Sequence, residues 1–153
     1  MFSEKVYNAL VNAGWVSCRK LDIRNFEQAL LEDAYEVWPL LKDFLSEFGG
    51  LVLVQPSLVE PTVEEQKKYP KLSREMKLHF VPADADSVKD SYEARAGERL
   101  TPFGAAYNDH LTLMMTPTGK IYGGYDNFLC FMGNSYVEML ENIYHRIKTP
   151  EIP

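Results

Sequence analysis

Histidine, cysteine, serine and paired carboxylates most often carry out chemistry, and each demands a particular spacing. The three histidines, His79, His110 and His145, stand apart. None has a second histidine or a cysteine near enough in sequence for local metal-ligand spacing, so no metal site is expected. The H-E-x-x-H pair of zinc peptidases and the H-x-E with P-C-x-x-C set of zinc deaminases are both absent. His79 and His110 fall in strand-like segments and could meet across a sheet, though independent structural or exposed histidines explain them as well. A serine nucleophile elbow needs G-x-S-x-G. The nearest run, Gly133-Asn134-Ser135-Tyr136-Val137, lacks the second glycine, and Ser135 is better used as a helix cap. The two cysteines, Cys18 and Cys130, form no C-x-x-C pair. Cys130 sits within Phe128-Leu129-Cys130-Phe131, where a thiol behaves as a small hydrophobe. Either thiol with a distant histidine could make a nucleophilic pair, but no charge pattern marks one. Gly123-Gly124 has neither a Lys-Ser/Thr sequel nor a helix start, which excludes a phosphate loop. Glycines inside a strand mark a bulge or a close approach instead. Carboxylate pairs such as Glu64-Glu65, Asp84/Asp86 and Asp109/Asp126 are expected by chance among 22 acidic residues. Nothing in these residues requires catalysis, so no catalytic residue, metal or cofactor is expected.

Tyrosine is the informative excess, with nine copies. Tyr107, Tyr122 and Tyr125 are interleaved with Asn108, Asp109, Asp126 and Asn127. Cross-strand packing is one reading of them, since aromatic residues pack well on pleated surfaces. Molecular recognition is the other, because tyrosine joins a large contact area to a polar tip. Aromatic and acidic groups at turn ends would suit a basic protein partner. On that reading the partner-binding candidates are Tyr107, Asn108, Asp109, Tyr125, Asp126 and Asn127, with Glu64, Glu65 and Tyr69 as a second candidate face.

Elements must position these residues. Ser3 can cap a helix carrying Val6, Leu10 and Tyr7, stopped by Gly14. Asn25 with Gln28 resembles a capping box for a helix through Phe26, Leu30 and Ala34. Pro39 suits the first turn of a third helix, in which Leu40, Leu41, Phe44, Leu45 and Phe48 recur at helical spacing. Gly49-Gly50 ends it, and Leu51–Val54 then reads as a buried strand. Residues 56–77, with three prolines and nine charged residues, break the pattern and read as a charged surface excursion. Thr62 and Glu65 could cap a short helix within it. Leu78–Val81 resumes a strand, and Asp84–Ser87 turns into a helix holding Val88 and Tyr92, closed by Gly97. Strands are predicted at Pro102–Tyr107, His110–Met115 and Lys120–Tyr125, joined by Asn108-Asp109 and by Thr116-Pro117-Thr118-Gly119 as tight turns. They form an antiparallel meander. Ser135 and Glu138 make a capping box ahead of the stripe Tyr136, Met139, Leu140, Ile143 and Ile147. The fold class is α+β, with a mostly antiparallel sheet packed against N-terminal and C-terminal helices.

With 153 residues and 17.6 kDa, the chain suits one domain, residues 1–153, able to bury about two thirds of its surface on folding. Lys+Arg 16 against Asp+Glu 22 leaves a net charge of −6. A nucleic-acid partner usually calls for a basic surface, and the basic run Lys67, Lys68, Lys71, Arg74 and Lys77 is diluted by Glu64, Glu65 and Glu75, so no nucleic-acid partner is expected. No window approaches the roughly 18 apolar residues of a membrane span. The charged Glu4 and Lys5 replace the apolar core of a signal peptide. These features predict a cytoplasmic protein with no membrane partner.

Several segments, in order, resemble the SUKH superfamily, and its third subgroup best. They are Ala13-Gly14-Trp15 with Arg19 soon after, then Phe44-Leu45…Phe48-Gly49-Gly50-Leu51 running into a strand. Gly97…Leu100-Thr101-Pro102-Phe103-Gly104 and Leu111…Gly119-Lys120-Ile121-Tyr122 follow. The resemblance runs from about residue 8 to residue 147, and the 56–77 excursion departs from it. What it implies is a bacterial immunity protein: a non-catalytic α+β domain that binds and neutralises a cognate polymorphic toxin, often a nuclease or deaminase. Trp15, Gly49, Gly50 and Gly104 then read as fold determinants. Two other readings stay open, a general protein-interaction or regulatory module of the same fold and a small-molecule-binding enzyme using the tyrosine-rich meander. The oligomeric state is not legible.

Overall fold

In the computed structural model residues 2–55, 74–79 and 88–153 are described. Three helices open the chain: α1 (Glu4–Asn12), α2 (Arg24–Glu32) and α3 (Pro39–Phe48). Strands β1 (Val52–Gln55) and β2 (Arg74–Lys77) follow. A π-helical turn, Val88–Tyr92, runs into the short α4 (Glu93–Ala96), and then come β3 (Thr101–Ala106), β4 (Leu111–Met115), β5 (Ile121–Tyr125), β6 (Phe128–Gly133) and α5 (Tyr136–Tyr144). The six strands form one antiparallel sheet in chain order, β1-β2-β3-β4-β5-β6. The α+β class and the predicted meander are both present.

Local chemistry explains most boundaries. The Ser3 hydroxyl accepts from the Val6 amide, and α1 buries Val6 and Leu10 while Tyr7 stays exposed. The Ser135 hydroxyl accepts from the Glu138 amide at 3.2 Å. Behind it α5 buries Met139, Leu140 and Ile143. Ile147 lies beyond the end of α5 and is exposed, so the predicted stripe is one turn too long. Helix α2 starts without the expected Asn25 capping box; the Asp22 carboxylate instead accepts from the Arg24 amide at 3.0 Å. Pro39 opens α3, whose Leu41, Phe44, Leu45 and Phe48 are buried.

The resemblance residues converge where α3 turns into β1. Gly50 takes φ +81, the left-handed region that a side chain disfavours. A Cβ on Gly49 would overlap the Leu45 carbonyl oxygen. The Arg19 guanidinium donates to the carbonyls of Glu47 and Gly49 at 2.8 and 3.0 Å, satisfying groups that a helix end leaves open. Trp15 stacks on Phe48 and donates through Nε1 to Glu47 Oε2 at 3.2 Å. All four groups lock one corner.

Two expectations about the sheet need correcting. The strand after Gly50 is not buried on both faces: Leu51 and Leu53 are buried, whereas Val52 and Val54 are 41% and 64% exposed, as befits an edge strand with one wet face. The end of the 56–77 excursion is not surface decoration, because Arg74–Lys77 is β2, paired with β1 through Leu53↔Met76. The strand predicted at Leu78–Val81 is therefore misplaced: it ends at Lys77 instead of starting after it, and Phe80 and Val81 lie outside the described residues. Beyond the meander, Phe128–Gly133 adds a strand not anticipated. Its outer edge carries the C-terminal segment, where the Phe131 amide donates to Pro150 and the Ile152 amide to Leu129.

Both faces of the central strands are covered. Successive residues of a strand point to opposite faces. Space beside Gly124 is filled by the Tyr92 ring, which places the 88–96 segment on one face. Gly133 meets the start of α5, on the other. Phe44 of α3 packs edge-on against Phe103 at 4.9 Å, joining helices and sheet in one core.

Candidate functional site

Antiparallel order puts the β3–β4 turn and the β5–β6 turn at the same end of the sheet. Tyr107, Asn108, Asp109, Tyr125, Asp126 and Asn127 therefore share one rim, as the meander predicts. Glu64, Glu65 and Tyr69 lie outside the described residues.

The backbone at this rim is unusual. Among the described residues, the non-glycine positions with positive φ are Cys18, Ala34, Tyr107, Asn108, Asp109, Asp126 and Arg146. Four belong to the two turns, and Arg146 follows α5 beside them. Asparagine and aspartate tolerate the left-handed region because their short side chains bond locally. Tyr107 at φ +54 has no such excuse. Conformations of this kind cost free energy and persist only where the surroundings enforce them, often at functional sites.

The turn residues differ in what holds them. The Asn108 carboxamide oxygen accepts from the Glu75 amide at 2.8 Å, while the Asn108 amide donates to the Glu75 carbonyl at 3.1 Å. Asn108 thus fastens the turn to β2 and is structural. Asp109 accepts from the Lys77 ammonium at 2.8 Å, a pair that raises the Lys77 pKa chiefly through that hydrogen bond. Backbone carbonyls anchor the second turn, Asp126 accepting from the Tyr92 hydroxyl and Asn127 from Arg95. The side chains of Asp126 and Asn127 remain exposed.

Between the turns the rings gather. Tyr125, 37% exposed, lies 4.4 Å from the His110 ring and stacks on Phe128 at 5.0 Å. With Tyr107 these rings line a cleft of about 320 Å³ whose buried floor includes Cys130 and Met132. His110, Phe128 and Met132 are not legible as site residues from the sequence, because only the packing of the β3–β4 turn against β6 brings them together. Tyr122 is instead buried, in edge contact with Phe131. There the packing reading holds.

Burial pushes the Cys130 thiol up, away from the reactive thiolate. Among the described residues no three histidine, cysteine or acidic side chains are grouped to hold a metal ion. No helix among them is long and apolar enough to cross a membrane. His79 lies near β2 and His110 in the β3–β4 turn, while His145, at the end of α5, is engaged by Glu141 at 3.2 Å.

A comparison with family models matches residues 2–145 to the SUKH-3 immunity protein model. The chain belongs to the SUKH-3 immunity protein family. The match takes in α1 through α5, the meander and the Trp15–Arg19–Gly49 corner, so the family is written in the frame that carries the rim. No curated protein and no solved structure matches the chain.

Proposed function

We propose that this SUKH-3 protein binds a cognate toxin and neutralises it by occlusion, without catalysis, in the cytoplasm. The observation that carries this reading is the family match across residues 2–145. The binding surface is the turn end of the sheet, around Tyr107, Tyr125, Asp126 and Asn127. Two features support that placement: left-handed backbone concentrated in the turns, and exposed aromatic and acidic side chains in a chain of net charge −6. Asp109 lies on the same rim, with its charge answered by Lys77. Asn108 serves the site by tying the turn to β2.

The partner is a basic protein. Opposite charge steers encounter and speeds capture, which matters when a toxin must be met before it acts. A standard interface covers about 800 Å² on each partner, and the turn end with its adjoining cleft can seed one. Glu64, Glu65 and Tyr69 stay a second candidate face.

Co-expression with the product of the adjacent gene tests this reading. Rescued growth together with a co-purifying complex is the expected result. Tight association with nothing to rescue would favour a regulatory interaction module instead, and neither rescue nor association would overturn the reading.

A further inference from the structure

The cleft between the turns does not stop at its rings. Through Tyr107, Met132 and Thr149 it continues into a second hollow of about 290 Å³ against the end of α5. The two form one groove with unlike ends. The rings of His110, Tyr125 and Phe128 stand at the turn end, and Arg146, Ile147 and Lys148 at the α5 end. Among the described residues no aspartate or glutamate lines either part, although the net charge of the chain is −6. Neighbouring carboxylates are placed elsewhere. Asp109 pairs with Lys77, and Glu141 accepts from the Ser3 amide and engages His145. Glu151 stands opposite Cys130 in the edge bridge, beside the ring end. Lys148 lies four residues past Tyr144, the last of α5, beyond the single turn over which a helix end attracts a cation. Left-handed backbone at Tyr107 and Arg146, both at φ +54, fixes two of the walls.

An occupant has to satisfy two chemistries. The rings and Ile147, which is 56% exposed, offer apolar contact, whereas Lys148 at the far end offers a positive charge. A basic side chain would meet like charge there, and a wholly apolar occupant would leave that charge unused. Two hollows joined through shared residues suit an extended segment, whose alternate side chains point the same way. We infer that this groove receives an extended segment of the partner that sets an apolar side chain among the rings and a carboxylate beside Lys148. The inference rests on the partner-binding reading above and adds the polarity of what is bound. A protein that is basic as a whole still carries carboxylates, and one placed opposite Lys148 fixes the register of docking.

The test needs no toxin, so its failure is distinct from failure of growth rescue. The intact protein is titrated with the N-acetylated, amidated peptides Leu-Gly-Glu, Leu-Gly-Gln and Leu-Gly-Lys, and separately with sodium acetate, followed by two-dimensional NMR. Leu-Gly-Glu should shift the amide resonances of Tyr107, Ile147 and Thr149. It should bind about three-fold more tightly than Leu-Gly-Gln, the scale of one exposed ion pair, with Leu-Gly-Lys weakest. Lys148→Gln should abolish that preference. Lys20→Gln, the same charge change between α1 and α2, should keep it; both lysines are exposed, so both variants retain the fold. Absence of shifts at these residues, equal binding of Leu-Gly-Gln, or a preference that survives Lys148→Gln would each overturn the inference. So would its loss in Lys20→Gln, or acetate that shifts the same resonances as strongly as Leu-Gly-Glu, which would mean a bare anion site.

Discussion

Asn108 and Asp126 look alike in the sequence, a polar residue in each of two turns, and the structure gives them different work. Asn108 spends its amide and carboxamide on Glu75 of β2, whereas the Asp126 carboxylate stays exposed. Asn108→Ala should therefore cost about 1–2 kcal/mol, from one lost hydrogen bond and a Cβ-bearing residue left at φ +57 without local bonding. Chemical denaturation would show a lower midpoint at unchanged slope. Glu141 offers a second residue-scale prediction. Burial raises its pKa, but hydrogen bonds from Ser3 and the charge of His145 together outweigh burial and leave it below its ordinary 4.5. A depressed carboxylate adds stability that is full above that ordinary value and is lost as pH falls through the folded value. Glu141→Gln should accordingly flatten the acid limb. Its urea midpoint should change less than that of the parent between pH 7 and about pH 3.5, and an equal change in both proteins would refute the assignment.

At the scale of elements, legibility followed the strength of periodicity. Helix α3 and the capped start of α5 repeat apolar residues at helical spacing and read correctly. Strand β2 was hidden because its alternation, Met76 and Leu78 buried between Glu75, Lys77 and His79, is short and lies at the end of a charge-rich, proline-broken stretch that reads as surface. Strand β6 was hidden for the opposite reason. Phe128–Gly133 is covered on both faces, and an apolar run without a period does not declare itself. The glycines were legible as punctuation but not as contacts. Gly104 shows the difference: it sits in β3 where a Cβ would overlap the Lys77 carbonyl oxygen of β2, so its role is to let two backbones meet. Gly104→Ala should cost about 2–3 kcal/mol as an overpacking change. Gly14→Ala, with open space around it but φ +105, should cost only about 1 kcal/mol. Thermal melts of the two variants compare them directly, and equal losses would mean that the β2–β3 approach is not tight.

For the whole molecule, the sheet order turns sequence-distant segments into one surface. The meander was readable, so the sharing of one end by Asn108-Asp109 and Asp126-Asn127 could be expected from topology alone. The cleft could not. It needs the His110–Tyr125–Phe128 stack, the Cys130 and Met132 floor from β6, and Thr149 past α5, three segments whose docking no local pattern encodes. The other end of the sheet, where Thr101 donates to the Glu36 carbonyl beyond α2, provides a natural control surface. Asp33 is exposed at the end of α2, so Asp33→Lys and Asp126→Lys make the same change in net charge at opposite ends. The measurement that tests the account most directly is the affinity of each variant for the co-purified toxin by calorimetric titration, with melting temperatures recorded alongside. Asp126→Lys is predicted to weaken binding at least ten-fold, since a like charge set against a basic partner costs several kcal/mol at the contact. Asp33→Lys should stay within about two-fold, the long-range share of steering. Equal losses from both, or a greater loss from Asp33→Lys, would contradict toxin capture at the turn end of the sheet.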